Sequence, residues 1–340
     1  MANAKVIEKA RPHTAAPVAR VASRTSPAAH IGGTVIPVDV PKLTDLPSYM
    51  DALGWKVSAA LMRKWFAADA REMTPAEKLG KVPPSQYPRE LLDTTTVTLD
   101  WILGFRRAAI AYKSILDHRG SIFSGSAVYN EKLKEQLVKR IRNAGLFASD
   151  ARTFGDLSRT SIWQHENWQI QLVRVDVENN DRVLVQFEGL DDLFGALGGF
   201  AFYLAAYGTV TPNVRVLPSD GPNKRTVEKY MIEMTHVAIY AKDTYDFIDQ
   251  QYLGHWNKDG VEAKLMVAAH DRLGLVDPDI YTPSGDAPDI KFPVGNESFR
   301  RYRRKHGKGG DLLIFSDMRV ERFASPFRFA VTSDQVAGLI

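Results

Sequence analysis

The chain has 340 residues, a formal net charge of +4, 44% hydrophobic residues and no cysteine. That length and apolar content exclude a wholly disordered chain and a disulfide-stapled miniature, and call for one large domain or two smaller ones. Without cysteine a zinc site would rest on histidine and carboxylate alone, and the mild basic excess permits an anionic partner without requiring one.

The first stretch, "MANAKVIEKARPHTAAPVARVASRTSPAAHIGG", is rich in Ala, Pro, Ser and Arg and lacks the continuous apolar core of a secretory signal. Residues 1–40 therefore read as a flexible tail, with recognition of a carrier protein as the other use of such a segment. The expected location is the cytoplasm of the producing cell. Any action elsewhere would need a route other than general export.

After the tail, Thr44 or Asp45 offers a helix cap, and Leu61, Met62, Trp65 and Phe66 recur at helical spacing. "PPSQYP" at 83–88 is turn-rich. A β-branched run then passes into an amphipathic pattern with Ile102, Leu103, Ile110 and Ile115, which predicts a helix between Asp100 and Asp117. In "NEKLKEQLVKRIRNAG", Asn130 is the expected N-cap. Leu133, Leu137 and Ile141 share a face, and Gly145 is the stop.

From Trp163 the texture changes to β-branched and aromatic residues alternating with polar ones, and "ENND" at 178–181 reads as a hairpin turn. The uncharged run Leu193 to Val210 is just long enough to cross a membrane. Its four glycines and the aromatics spaced by two at Phe200 and Phe202 favour a short helix followed by a core strand. "EKYMIEMTHVAIYAK" is another long strand, with room for a bulge, that delivers the chain to Asp243. A short helix capped by Asn296 and stopped at Gly307 precedes a strand at Leu312 to Phe315. The predicted fold class is α+β, with a helical region over 41–160 and an antiparallel β-rich catalytic domain over 161–340.

Strand ends present side chains accurately while leaving them accessible. In "AKDTYDFIDQQYLGHWN", Asp243, Asp246 and Asp249 follow such a strand. If the backbone stays extended, Asp243 and Tyr245 share one side and Asp246 faces the other. A turn would let both carboxylates converge, to hold Mg²⁺ or to divide into an ionised and a protonated partner. A solvated turn is the plain alternative. The basic helix carries Arg300, Arg301, Arg303 and Arg304, whose planar forks suit phosphate or pyrophosphate. A nucleic-acid backbone is a second target for them, and a solvated charged face is the alternative to both.

Other fragments carry less chemistry. "QHENW" lacks the second histidine of a zinc-protease helix, so His165 and Glu166 read as structural. His270 and Asp271 are adjacent only in sequence, Ser158 has no nucleophile-elbow pattern, and "GALGGF" is not a dinucleotide fingerprint. No nucleotide cofactor is indicated.

The succession "MDALGWKVSAALMRKWF", "FGDLSR", "DTYDF" with "LGHW", and "FRRYRRKHGKGGDLLIFSD" resembles the bacterial domain-of-unknown-function family numbered 6402. Genes of that family often lie near type VI secretion components, which implies a secreted antibacterial effector or an accessory to one. A more remote layer, "ALGGF", two strands and then "DTYDF", is similar to the catalytic region of colicin M-like bacteriocins, which cleave lipid II. That resemblance implies the pattern D-x-Y-D at Asp243, Tyr245 and Asp246, with Mg²⁺ support from the two aspartates. It places His255 as the nearest acid-base group, followed by Trp256 where the family has arginine.

Together these readings give a leading expectation: a type VI secretion-associated toxin, delivered to the target-cell periplasm, that hydrolyses the phosphodiester or pyrophosphate of a lipid-linked peptidoglycan precursor. A secretion spike protein and an immunity protein are the expected partners, and nucleic acid is not. The alternatives are a non-enzymatic effector adaptor or chaperone, and a pore-forming toxin built on Leu193 to Val210.

Overall fold

The computed structural model of the chain describes residues 28–31, 34–37, 41–117, 127–147, 150, 152–175, 190–212, 228–248, 251–262, 285–286 and 289–338, with backbone alone for 28–37 and 127–130. The chain divides into two units, Met1–Val40 and Pro41–Ile340. In the first, β1 (Ala28–Ile31) pairs antiparallel with β2 (Thr34–Pro37). Residues 1–27 of the expected tail, the "ENND" turn, Asp249, and the pair His270 and Asp271 lie outside the described residues.

The second unit is mixed α and β. Its N-terminal part supplies α1 (Leu46–Ala52), α2 (Lys56–Ala67), α3 (Pro75–Lys78), α4 (Leu99–Leu103), α5 (Arg106–Asp117) and α6 (Ala127–Asn143). Leu61, Met62 and Trp65 of α2 face the core as their spacing predicts. The helix expected over 100–117 is two helices. Thr98 caps α4 by accepting from the Trp101 amide, and the chain turns at Gly104 before α5 begins.

Helix α6 starts at Ala127, so Asn130 lies inside it and is not its cap. Leu133, Leu137 and Ile141 are buried, and Gly145 ends the helix with φ +68° as the Leu146 amide donates back to the Ile141 carbonyl. A second correction concerns Trp163. It lies in α7 (Ser161–Trp168), whose cap Thr160 accepts from the Trp163 amide, and the strand β5 (Gln169–Val175) begins only afterwards.

The main sheet has the order β3-β11-β7-β6-β4, with β5 also paired to β6. It combines β3 (Leu92–Asp93), β4 (Arg152–Phe154), β6 (Phe200–Pro212), β7 (Lys229–Tyr245) and β11 (Leu312–Thr332). Residues from the helical part thus enter the sheet as β3 and β4. Strand β7 alternates buried and half-buried residues in its first half, then buries every residue from Val237 to Lys242. The change marks where elements begin to cover both faces.

The run Leu193 to Val210 becomes α8 (Asp192–Leu197) followed by β6, which lies between β5 and β7 as expected for a core strand. Among the described residues no helix is long and apolar enough to cross a membrane. The two aspartates before the run fasten it. Asp191 caps α8 and holds Arg107 through two 2.6 Å bonds, while Asp192 accepts from the Val57 and Ser58 amides at 3.0 and 2.8 Å. Asp192 thereby caps α2, whose own N-cap Trp55 has no capping side chain.

The bulge in β7 falls at Thr235, opposite Tyr207 and Gly208 of β6. A Cβ on Gly208 would lie 2.0 Å from the Glu233 carbonyl oxygen, which is backbone and cannot swing aside. Gly208→Ala is therefore expected to lower stability by about 1–3 kcal/mol, the usual cost of overpacking. The urea midpoint checks this, and an unchanged midpoint would mean the bulge is not tightly packed.

The rest of the unit is a small sheet in the order β10-β8-β9, made of β8 (Tyr252–Asn257), β9 (Gly260–Glu262) and β10 (Phe292–Gly295). It leads into α9 (Asn296–His306), with Gly295 in the N-cap position expected for Asn296 and Gly307 left-handed at the stop. Strand β11 and α10 (Ser333–Ala337) close the described chain. His165 and Glu166 are structural: the imidazole lies 3.1 Å from the Tyr240 hydroxyl, and Glu166 accepts from the Ser85 amide.

Candidate active site

Strand β7 stays extended through Tyr245, opposite Leu312, so Asp243 and Tyr245 share one face. The chain then turns on the Asp246 carboxylate, which accepts from the Thr244 hydroxyl at 2.8 Å and the Ile248 amide at 3.3 Å. This Asx-type turn starts at Asp246 and redirects the chain after "DTYD". Asp243, Tyr245 and Asp246 all line one cavity of about 320 Å³, at the small end of the ~300–1,000 Å³ range of ligand sites.

Much of the remaining lining is apolar, with Gln251 and Asn296 as further polar members. Trp55 and Trp256, in edge-to-face contact at 5.7 Å, form part of one wall, and Met62, Leu197 and Phe299 contribute elsewhere. Gly198 and Gly199, from the "ALGGF" stretch, also line it, so two segments singled out in the sequence meet here. A second, wider groove of about 570 Å³ contains none of the candidate residues. Its Asp69 and Asp93 are already paired with Lys308 and Lys64.

Burial sets the electrostatics. It pushes the Asp243 carboxyl well above the usual carboxylate range, and the nearby Asp246 charge adds to the rise against the Thr244 amide, Lys242 and Lys78. Asp243 is recessed among protein atoms yet still reached by solvent from the cavity. Burial likewise raises the Tyr245 hydroxyl, which has no hydrogen-bond partner among the described residues. Asp246 is held differently, by an ion pair with Lys78 at 3.2 Å.

A folded-state value above the unfolded one means that native Asp243 keeps its proton where the unfolded chain has lost it. The penalty for this site is absent below about pH 4, the unfolded value, and grows as pH rises. Asp243→Asn, an uncharged isostere, is expected to gain stability over the wild type between pH 5 and 8. Urea midpoints at both pH values check this; a constant difference would show that the carboxyl is not perturbed.

His255 does not join the group. It is buried on β8, hydrogen-bonded through Nδ1 to the Tyr252 hydroxyl, and paired in register with Pro293 and Glu262, while its neighbour Trp256 faces the cavity. None of the four arginines lines the cavity either. Arg300 donates to the Phe247 and Ile248 carbonyls at 2.9 and 2.7 Å, clamping the chain just after Asp246. Arg303 is buried against Glu72, Asp311 and the Trp65 ring. Arg301 and Arg304 reach Glu297 on the surface.

Lys78 is the cation beside Asp246, and among the described residues no group of three or more acidic or imidazole side chains gathers.

A family model described as a family of unknown function, DUF6402, matches residues 42–331, from the segment before α1 to the end of β11. The chain belongs to this family. No curated protein and no solved structure gives a match.

Within this DUF6402 chain the residue that sequence reading missed is Lys78. "TPAE" at 74–77 is a visible capping box, and Thr74 and Glu77 do form it. Nothing in the spacing signals that the helix it starts delivers an ammonium to Asp246, 168 residues away.

Proposed function

We propose that this DUF6402 protein is an antibacterial effector associated with type VI secretion, and that its cavity hydrolyses the phosphodiester or pyrophosphate linkage of a lipid-linked cell-wall precursor. The observation that carries the reading is that Asp243 and Asp246 line one cavity together with the apolar side chains of Trp55, Leu197, Trp256 and Phe299. An amphiphile with a phosphate head and a hydrocarbon tail matches that combination.

In this mechanism the two aspartates take different roles because their surroundings differ. Asp246, beside Lys78, accepts a proton from water as the water oxygen attacks phosphorus. Asp243, carrying a proton, donates it to the departing oxygen as the phosphorus–oxygen bond breaks. Tyr245 orients the phosphoryl group through its hydroxyl. His255 has no step, since it does not reach the cavity, and Arg300 serves the site by holding the turn after Asp246.

The biological test is expression of the full chain behind an added export signal in a bacterium. Lysis by the wild type and survival with Asp246→Asn is the expected result. Survival in both cases, with stable co-purification of a secretion spike protein, would replace this reading with the adaptor. Dye release from protein-free liposomes would replace it with the pore.

A further inference from the structure

We propose that Lys78 is the anion-binding residue of the cavity, which takes a phosphate carried on a hydrocarbon tail by exchanging Asp246 for the phosphate. The assignment rests on the reading of the cavity as a phosphoester site and names the contact that would select its ligand.

Lys78 is the only basic residue lining the cavity among the described residues. Its position is fixed by local sequence: Pro75 and the Thr74–Glu77 capping box start α3, and the helix ends at Lys78 one turn later. The side chain is about one-third exposed, at 34%, while the Asp246 carboxylate it meets is 8% exposed. The ammonium thus stands between solvent and a buried anion.

Beside its two carboxylates the cavity offers donors. Besides the three N–H groups of an ammonium, the buried Tyr245 hydroxyl, in a residue only 7% exposed, has no protein partner among the described residues. A buried donor without a partner is costly, and a phosphate oxygen supplies what it lacks. The apolar walls of Trp55, Leu197, Trp256 and Phe299 argue for a tail on that phosphate and against the free ion. Exchange of partners also has a chemical consequence. When Lys78 moves to the phosphate, the Asp246 carboxylate is released from the ion pair and faces the water that attacks phosphorus.

The test uses the full chain and octyl phosphate, octanol and inorganic phosphate as probes, followed by the fluorescence of the cavity tryptophans and by calorimetry. Octyl phosphate is expected to bind the wild type, and Lys78→Met to weaken it about tenfold or more, the range of a charge-assisted contact, with octanol unaffected. Lys78→Arg, which keeps the charge, should restore most of the affinity. Equal octyl phosphate affinity in wild type and Lys78→Met would overturn the assignment, as would no binding at all. Inorganic phosphate binding as tightly as octyl phosphate would overturn the tailed ligand. Octyl phosphate bound through Lys78 without any hydrolysis of a lipid-linked precursor would support Lys78 and remove only the proposed reaction.

Discussion

Replacing Asp311 by alanine is expected to lower the stability of the folded unit by about 3–5 kcal/mol, the scale of breaking a buried ion pair by deleting one partner. Asp311 is fully buried and is the joint between the first helices and the last strand. Its carboxylate accepts from the Trp65 indole at 3.1 Å and the Met73 amide at 2.9 Å and pairs with Arg303, while its carbonyl accepts from the Tyr87 hydroxyl at 2.7 Å.

Alanine would leave two buried N–H groups and a buried guanidinium short of their acceptor. Burial outweighs the pull of Arg303 and holds the Asp311 carboxyl above its usual range, so the pair gives little net stability over an apolar substitute. The double change Asp311→Leu with Arg303→Met is therefore expected to recover part of the loss. Urea unfolding of the three proteins decides the matter. A single-variant loss below about 1 kcal/mol, the median of exposed pairs, would show that the network is not buried as described.

The second large effect is on turnover. Asp246→Asn is expected to reduce hydrolysis of the lipid-linked precursor by about 10²–10⁴-fold, the range of a general base. The amide keeps an oxygen for the Ile248 amide and for Lys78, so the turn and the urea midpoint should stay near wild type. What disappears is the ability to take a proton. Turnover within a few-fold of wild type, in a folded variant, would take Asp246 out of the chemistry.

Much of this fold is written locally. The apolar stripe of α2 and the Leu133, Leu137 and Ile141 face of α6 follow the helical repeat, and the long strand before Asp243 follows its alternation. Helix α7 was hidden because its buried residues, Ser161, Gln164 and Trp168, include two polar ones, so the apolar period that marks a helix is missing. The true strand signal starts only at Gln169. The split at Gly104 was legible as a glycine but not as a turn.

The site shows the same division. All four residues of "DTYD" line the cavity at a strand end, and an Asx turn begun at Asp246 redirects the chain behind them. The arginine helix looked like an anion site because sequence displays charge and hides its partners: Arg303 and Asp311 are paired across the "KHGKGG" loop. Lys78 and the tryptophan wall depend on contacts between distant segments, which no local pattern encodes. His255 illustrates the reverse error, since proximity in sequence to Asp246 did not place it in the cavity.

Whether Asp243 and Asp246 form one hydrolytic site is tested most directly by incubating the purified full chain, and Asp246→Asn, with lipid II and Mg²⁺ and analysing the products by mass. The wild type is expected to release a pyrophosphorylated disaccharide-peptide, and Asp246→Asn none. Intact lipid II with the wild type, or equal release by the variant, would contradict this.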